Sequence, residues 1–268
     1  MTMQDYRDWA ETQNTKKPYL SVVIPTYNEE WRILPTIGAI ASFVSSLDFA
    51  WELIISDDGS TDDTIELVEN LNLVNMQLLK SENTGKGGAV KRGVLKAQGD
   101  LVLFLDADQA TPIEQLPELI DAITKEKADI VIGSRSSSDS TVANKSFFRK
   151  TLSWGLKTLV KIGFRLPHKD TQCGFKLFSA ESAKRLFNVA KIDGFSFDLE
   201  LLYIAKKTNM KVAEVGVSWH DAPGSTVSGT QDTIKFIKDM PKILSNSFKG
   251  EYKIEKENQT LDKELTKV

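Results

Sequence analysis

Five short apolar runs punctuate the first half of the chain, at residues 20–25, 51–56, 76–79, 100–105 and 129–133. Between them lie stretches of helical periodicity at 29–47, 62–70, 85–98 and 113–125. Runs this short and this rich in β-branched residues read as buried strands, because a strand covered on both faces needs no polar alternation. Strands that alternate with helices predict an α/β fold: a mostly parallel sheet flanked by helices, since a parallel connection must cross over the sheet. Ser60 or Thr61 is placed to cap the helix at 62–70. Beyond Arg135 the alternation loosens, and 134–140 reads as a mobile polar loop.

The 268 residues are 41% hydrophobic and 26% charged, enough to bury one large core. A formal net charge of −3 gives no sign of a nucleic-acid partner. The single cysteine, Cys173, excludes an internal disulfide and suits a reducing compartment. No apolar run reaches the length of a membrane span, and residues 1–17 are polar, without the apolar core of a signal peptide. The expected location is therefore the cytoplasm. No linker divides the chain.

Polar residues follow each run. Pro25 closes the first and Tyr27 and Glu29 follow it, Asp57 and Asp58 follow the second, and Lys86 in a Gly-rich loop follows the third. Asp106 and Asp108 follow the fourth, and Arg135 the fifth. In open α/β sheets such loops share one edge, where ligands bind. Asp106 and Asp108 are one residue apart at a strand end, so both carboxylates can converge on a hard divalent cation, Mg2+ or Mn2+. Asp57 or Asp58 can accept from a base N–H. Gly85, Gly87 and Gly88 allow a ligand close to the backbone. The loop lacks Walker spacing.

Pro25-Thr26-Tyr27-Asn28-Glu29, Asp57-Asp58-Gly59-Ser60, Asn83-x-Gly85-x-Gly87 and Asp106-Ala107-Asp108, in this order, resemble the family 2 inverting glycosyltransferases of GT-A fold. The resemblance covers roughly residues 19–229. Gly133-Ser134-Arg135, Arg149, Asp170 to Lys176 and Phe197-Asp198-Leu199-Glu200 look like the polyprenyl-phosphate branch, closest to dolichyl-phosphate β-glucosyltransferases. That branch implies a UDP-sugar donor, UDP-glucose first, and a polyprenyl phosphate acceptor. The resemblance and the loops together place the donor on Pro25, Tyr27, Glu29, Asp57, Asp58, Lys86 and Asp106. They place the metal on Asp106 and Asp108, and acceptor and catalytic roles on Asp108, Arg135, Arg149 and Asp170. Two departures separate the chain from the mannosyl branch. Ala110 stands where that branch has a metal-binding Gln, with Gln109 directly after Asp108, and Asp221 to Thr226 replaces its R-x-x-G-x-S-K segment.

A lipid monophosphate is already ionised at neutral pH and needs positioning rather than a general base. Arg135 and Arg149 suit that task, because a guanidinium matches phosphate oxygens. Asp198 and Glu200 either face the sugar or are structural. Residues 145–165 hold six basic and no acidic residues. Phe148, Leu152, Leu156, Leu159 and Ile162 fall on one helical arc, as in a helix lying in a membrane interface. A second such helix is read at 234–248, with Ile237, Met240, Leu244 and Phe248 on one side. The organisation expected is a polar extension at 1–18 and a catalytic domain at 19–229, followed by an amphipathic helix and charged tail at 230–268. Within the domain, 19–135 binds nucleotide and 136–229 takes the acceptor. The enzyme would act peripherally, on the cytoplasmic face of a membrane. The competing readings are a hydroxyl-directed glycosyltransferase with Asp170 as base, a nucleotidyltransferase and a non-catalytic membrane-binding module. The first loop, Thr26 to Glu29, lacks the Gly-rich, Arg-containing pattern of nucleotidyltransferases.

Overall fold

The computed structural model describes residues 16–135, 160–220 and 229–254. Seven strands form one sheet: β1 (Leu20–Thr26), β2 (Trp51–Asp57), β3 (Met76–Lys80), β4 (Leu101–Leu105), β5 (Ile130–Ser134), β6 (Phe175–Ser179) and β7 (Val212–Gly216). Their order is β3-β2-β1-β4-β6-β5-β7. β6 runs antiparallel to β4 and β5, and the other pairings are parallel. The mostly parallel α/β sheet expected from the apolar runs is therefore present. β1, β4 and β5 are buried along their whole length, which is why their sequences show no polar alternation.

Helices cover both faces: α1 (Ile33–Val44), α2 (Thr64–Glu69), α3 (Lys86–Lys96), α4 (Leu116–Lys125), α5 (Ala180–Val189), α6 (Phe197–Lys207) and α7 (Gly229–Phe248). One core layer joins α1 and α4 to the sheet through Ile33, Ile37, Leu119 and Ile123. The other joins α3, α5, α6 and α7 through Val94, Leu186, Ile204 and Ile243.

Neither Ser60 nor Thr61 caps α2. The helix begins at Thr64, and its backbone N–H donates to Asp62 Oδ1 at 3.0 Å. Ser60 instead donates to Asp57 and accepts from Asn28 N, tying the first two loops together.

α7 departs from the expected stripe. Phe236 and Ile243 are buried, and Met240 and Leu244 pack against the same core, whereas Ile234, Ile237 and Phe248 are exposed, Phe248 to 92%. The face turned to the protein therefore lies beside the one first read. Residues 160–164 form a helical turn that buries Val160 and Phe164 and exposes Ile162. Residues 145–159, the rest of the first interface helix, lie outside the described residues, as do 136–140 of the polar loop. No helix among the described residues is long and apolar enough to cross a membrane.

Candidate active site

A cavity of about 980 Å3 opens where the chain leaves β1, β2 and β4. Pro25, Tyr27, Glu29, Asp58, Lys86, Asp106 and Asp108 all line it, so four consecutive loops meet in one place. The opposite wall comes from residues 191–195 and from α7, through Lys235, Lys238 and Lys242.

Asp57 does not line the cavity. It is fully buried, and its carboxylate accepts from the backbone N–H groups of Gly59 and Ser60 and from the hydroxyls of Ser60 and Thr26. With its lone pairs used inside the loop, it shapes the turn and is not available to a base. Asp58 faces the cavity but is also engaged. It accepts from Thr84 N and Arg92 Nη2 at 3.0 Å and from Gly85 N at 2.7 Å. It clamps the start of α3 to the end of β2. The reversal there needs Gly85, whose φ is +107° and whose missing Cβ would fall 2.5 Å from Asp193 O.

β4 ends at Leu105, so a turn, not strand alternation, brings Asp106 and Asp108 together. Ala107 between them is buried, and its carbonyl accepts from Thr36 Oγ1 at 2.7 Å. Asp106 N donates to Gly174 O at 3.1 Å, and a Cβ on Gly174 would lie 1.9 Å from Asp106 Oδ2. Asp108 Oδ1 accepts from Ala110 N. Gln109 turns away and donates to Thr36. Glu29 adds its carboxylate to the same cavity. Burial raises its pKa, Arg32 at 2.6 Å opposes this, and Asp108 and Asp106 push it further up.

No group of three ligating side chains is preassembled among the described residues. Two aspartates on one wall nevertheless suit a hard cation that completes its shell with phosphate and water. Asp106 already attracts positive charge: Lys86 Nζ lies 2.6 Å from its Oδ1. Burial works against the Lys86 ammonium, but Asp106 and Asp198 outweigh it and keep the pKa above the ordinary lysine value.

Arg135 and Asp170 stand apart from the cavity lining. Because β6 is inserted between β4 and β5, Arg135 at the end of β5 lies two strand positions from Asp106. Its Nε and Nη2 donate to Asp170 at 2.7 and 2.8 Å, and its guanidinium sits 5.8 Å from the Trp219 ring centroid. Burial pushes the Asp170 pKa up, but Arg135 wins and holds it below the usual carboxylate value. Arg149 lies outside the described residues.

Sequence reading quoted Lys176 in a motif but missed its role: it is the second residue of the apolar strand β6 and 1% exposed. It pairs with Asp198 at 2.6 Å, so Asp198 is held inside the protein and does not face the sugar. Burial raises the Asp198 pKa, and Lys176 and Lys86 oppose it. The break in the strand's apolar pattern was the available signal. Glu200 is likewise internal: it accepts from Lys191 N, Ile192 N and the Tyr252 hydroxyl.

A mostly parallel α/β sheet with an acidic pair at the exit of its fourth strand defines a glycosyltransferase of GT-A type, and comparison with known proteins agrees. Residues 21–187 match the family model "Glycosyl transferase family 2", and the chain belongs to that family. It is 39% identical over 251 residues to a dolichyl-phosphate beta-glucosyltransferase of Dictyostelium discoideum, covering 88% of this chain and 77% of that one. A protein of the same name from Saccharomyces cerevisiae is 37% identical, with 91% and 79% covered. Among solved structures, glucosyl-3-phosphoglycerate synthase from Mycobacterium tuberculosis, in complex with Mn2+ and UDP-glucose, superposes with a TM-score of 0.64. That match spans 91% of this chain and 84% of the other at 19% identity, and it shows the shared fold.

Proposed function

We propose that this enzyme transfers glucose from UDP-glucose to a polyprenyl phosphate, inverting the anomeric centre to give a β-linked lipid-phosphate sugar. The convergence of Lys86, Asp106 and Asp108 in one cavity carries the reading. The names of the relatives and the Mn2+ and UDP-glucose held by the solved structure support it.

Asp106 and Asp108 would hold Mg2+ or Mn2+, which when bound supplies Lewis-acid neutralisation of the leaving UDP. Lys86, at the first position of α3, adds positive charge beside the helix N-terminus, where diphosphate oxygens are favoured. Asp58 and Gly85 fix the loop that presents it. The acceptor phosphate is assigned to Arg149 and to Arg135, which Asp170 orients. Asp170 is a poor general base, because the Arg135 ion pair depresses its proton affinity. This favours an acceptor that arrives ionised over a sugar or protein hydroxyl.

Peripheral attachment to the cytoplasmic face of a membrane rests on α7. Ile234, Ile237 and Phe248 project from one side of it, next to the arc of Lys235, Lys238 and Lys242. Exposed Ile162 follows from a turn whose Gly163 lies beside Met240 of α7. Apolar residues flanked by lysines suit an anionic leaflet. The combined Ile237→Glu and Phe248→Glu variant is expected to leave anionic vesicles in co-sedimentation while still using a short, detergent-soluble acceptor. Undiminished sedimentation would remove α7 from the membrane contact.

The deciding experiment is sugar transfer from radiolabelled UDP-glucose to undecaprenyl phosphate in detergent, with Mg2+ or with EDTA. The expected product is metal-dependent, extractable into organic solvent and cleaved by mild acid. An acid-stable glycoside would overturn the assigned acceptor. Asp108→Asn is expected to lower turnover by at least about a hundredfold.

A further inference from the structure

The surroundings of Lys86 contain an electrostatic conflict. It is the first residue of α3, an 11-residue helix with no acidic residue in its first turn. A cation there faces the positive end of the helix dipole, which is unfavourable. Carboxylates hold it in place. Asp106 Oδ1 is 2.6 Å from its Nζ, and Asp198 and Asp108 add attraction. Asp198 is in turn paired with Lys176, whose ammonium also donates to Cys173 O at 2.5 Å. Both ammonium groups lie over one aromatic ring, Lys86 at 5.5 Å and Lys176 at 5.8 Å from the Phe104 centroid. From the cavity wall inward the charges alternate: Asp106, Lys86, Asp198, Lys176. Lys86 thus has one carboxylate in the cavity and a second behind it.

We propose that Lys86 is a resident cation that shares Asp106 with the divalent metal and leaves it for the donor diphosphate, steadied by Asp198, as metal and donor bind. The inference rests on the metal reading above and goes beyond it. A dication beside Asp106 repels an ammonium a few ångströms away, so the two compete for the same oxygen. Lys86 therefore lowers the affinity for metal alone. A donor diphosphate attracts the ammonium away from Asp106 and restores the site. Metal and donor then bind cooperatively, and the coupling must be reciprocal. Asp198, paired with Lys176, is the positioning residue that offers the displaced ammonium a second carboxylate.

The test is Mn2+ affinity of the full chain, measured by electron paramagnetic resonance of free Mn2+ without nucleotide, then with UDP. Lys86→Met is expected to tighten Mn2+ binding about tenfold without nucleotide, and to shrink the gain that UDP confers. Lys86→Arg keeps the charge and should stay within about twofold of the parent. Asp198→Asn removes the second carboxylate, leaves the ammonium on Asp106, and should weaken Mn2+ binding about threefold. A residue that merely supports the fold would move all variants in the same direction. Unchanged or weaker Mn2+ binding in Lys86→Met overturns the proposal, as does tighter binding in Asp198→Asn. Lys86 is partly exposed, so its two variants decide the matter even where Asp198→Asn does not fold. Asp108→Asn separates the two readings. If it binds Mn2+ like the parent, the metal site itself is wrong. If it loses Mn2+ while Lys86→Met fails to tighten, only the competition is wrong.

Discussion

Gly174 and Asp170 lie four residues apart, and each fixes a different charged group. Gly174 leaves room for the Asp106 carboxylate, which a Cβ would meet at 1.9 Å. Gly174→Ala is therefore expected to displace Asp106. Turnover should fall by about a hundredfold or more, and Mn2+ affinity should fall with it, while stability drops by about 2 kcal/mol. Kinetics and urea unfolding of the same preparation check both. Asp170 holds Arg135, and its folded pKa lies below the ordinary 3.8. The unfolded carboxylate thus binds protons more tightly than the folded one, so the pair stabilises above the unfolded pKa. That contribution is lost as pH falls through the folded value. Asp170→Asn should cost about 2 kcal/mol at pH 7, discounted for the partly exposed Arg135. The gap to the parent should narrow at pH 3, as measured by urea unfolding at each pH. The DxD pair was legible in the sequence because both carboxylates end an apolar run. The function of Asp57 was not, because its neighbour Asp58 looks identical in sequence and only the turn decides which one faces inward.

At the scale of elements, α6 anchors the far wall of the cavity. Glu200 in its first turn holds the backbone N–H groups of Lys191 and Ile192, and the Tyr252 hydroxyl donates to it at 2.6 Å. Tyr252→Phe leaves that carboxylate one donor short in a buried setting. The expected loss is about 1–2 kcal/mol in thermal unfolding, with a higher KM for the donor and little change in kcat, because residues 191–195 loosen. A KM equal to the parent's would sever that wall from donor binding. The first five strands were legible because burial on both faces leaves unbroken apolar runs. β6 was hidden by Lys176, a charge that breaks the run, and β7 by Glu214 on a half-exposed strand at the sheet edge. α7 was legible as amphipathic, but its inward face was misread. Met240 and Leu244 serve two adjoining arcs, and sequence periodicity does not say which arc meets the protein.

For the whole molecule, the cavity joins loops from both ends of the described chain. α7 buries Phe236 and Ile243 against the second core layer, and Tyr252 follows it into the same layer. Removing residues 229–268 is expected to cost roughly 5 kcal/mol, a large share of an ordinary domain's stability, and to abolish UDP binding. Differential scanning calorimetry and a UDP titration of the shortened chain check this. The sheet's one antiparallel insertion also has a reach beyond its strands, since it sets Arg135 two strand positions from Asp106 while leaving the two close enough to attract. The far wall formed by Lys235, Lys238 and Lys242 bears on the order of synthesis. A ribosome delivers the loops of β1 through β4 long before it delivers α7, and domains begin to fold as they emerge. The growing chain therefore carries its acidic floor without the basic wall that encloses it. Firm hold on a nucleotide sugar therefore waits until translation has passed α7.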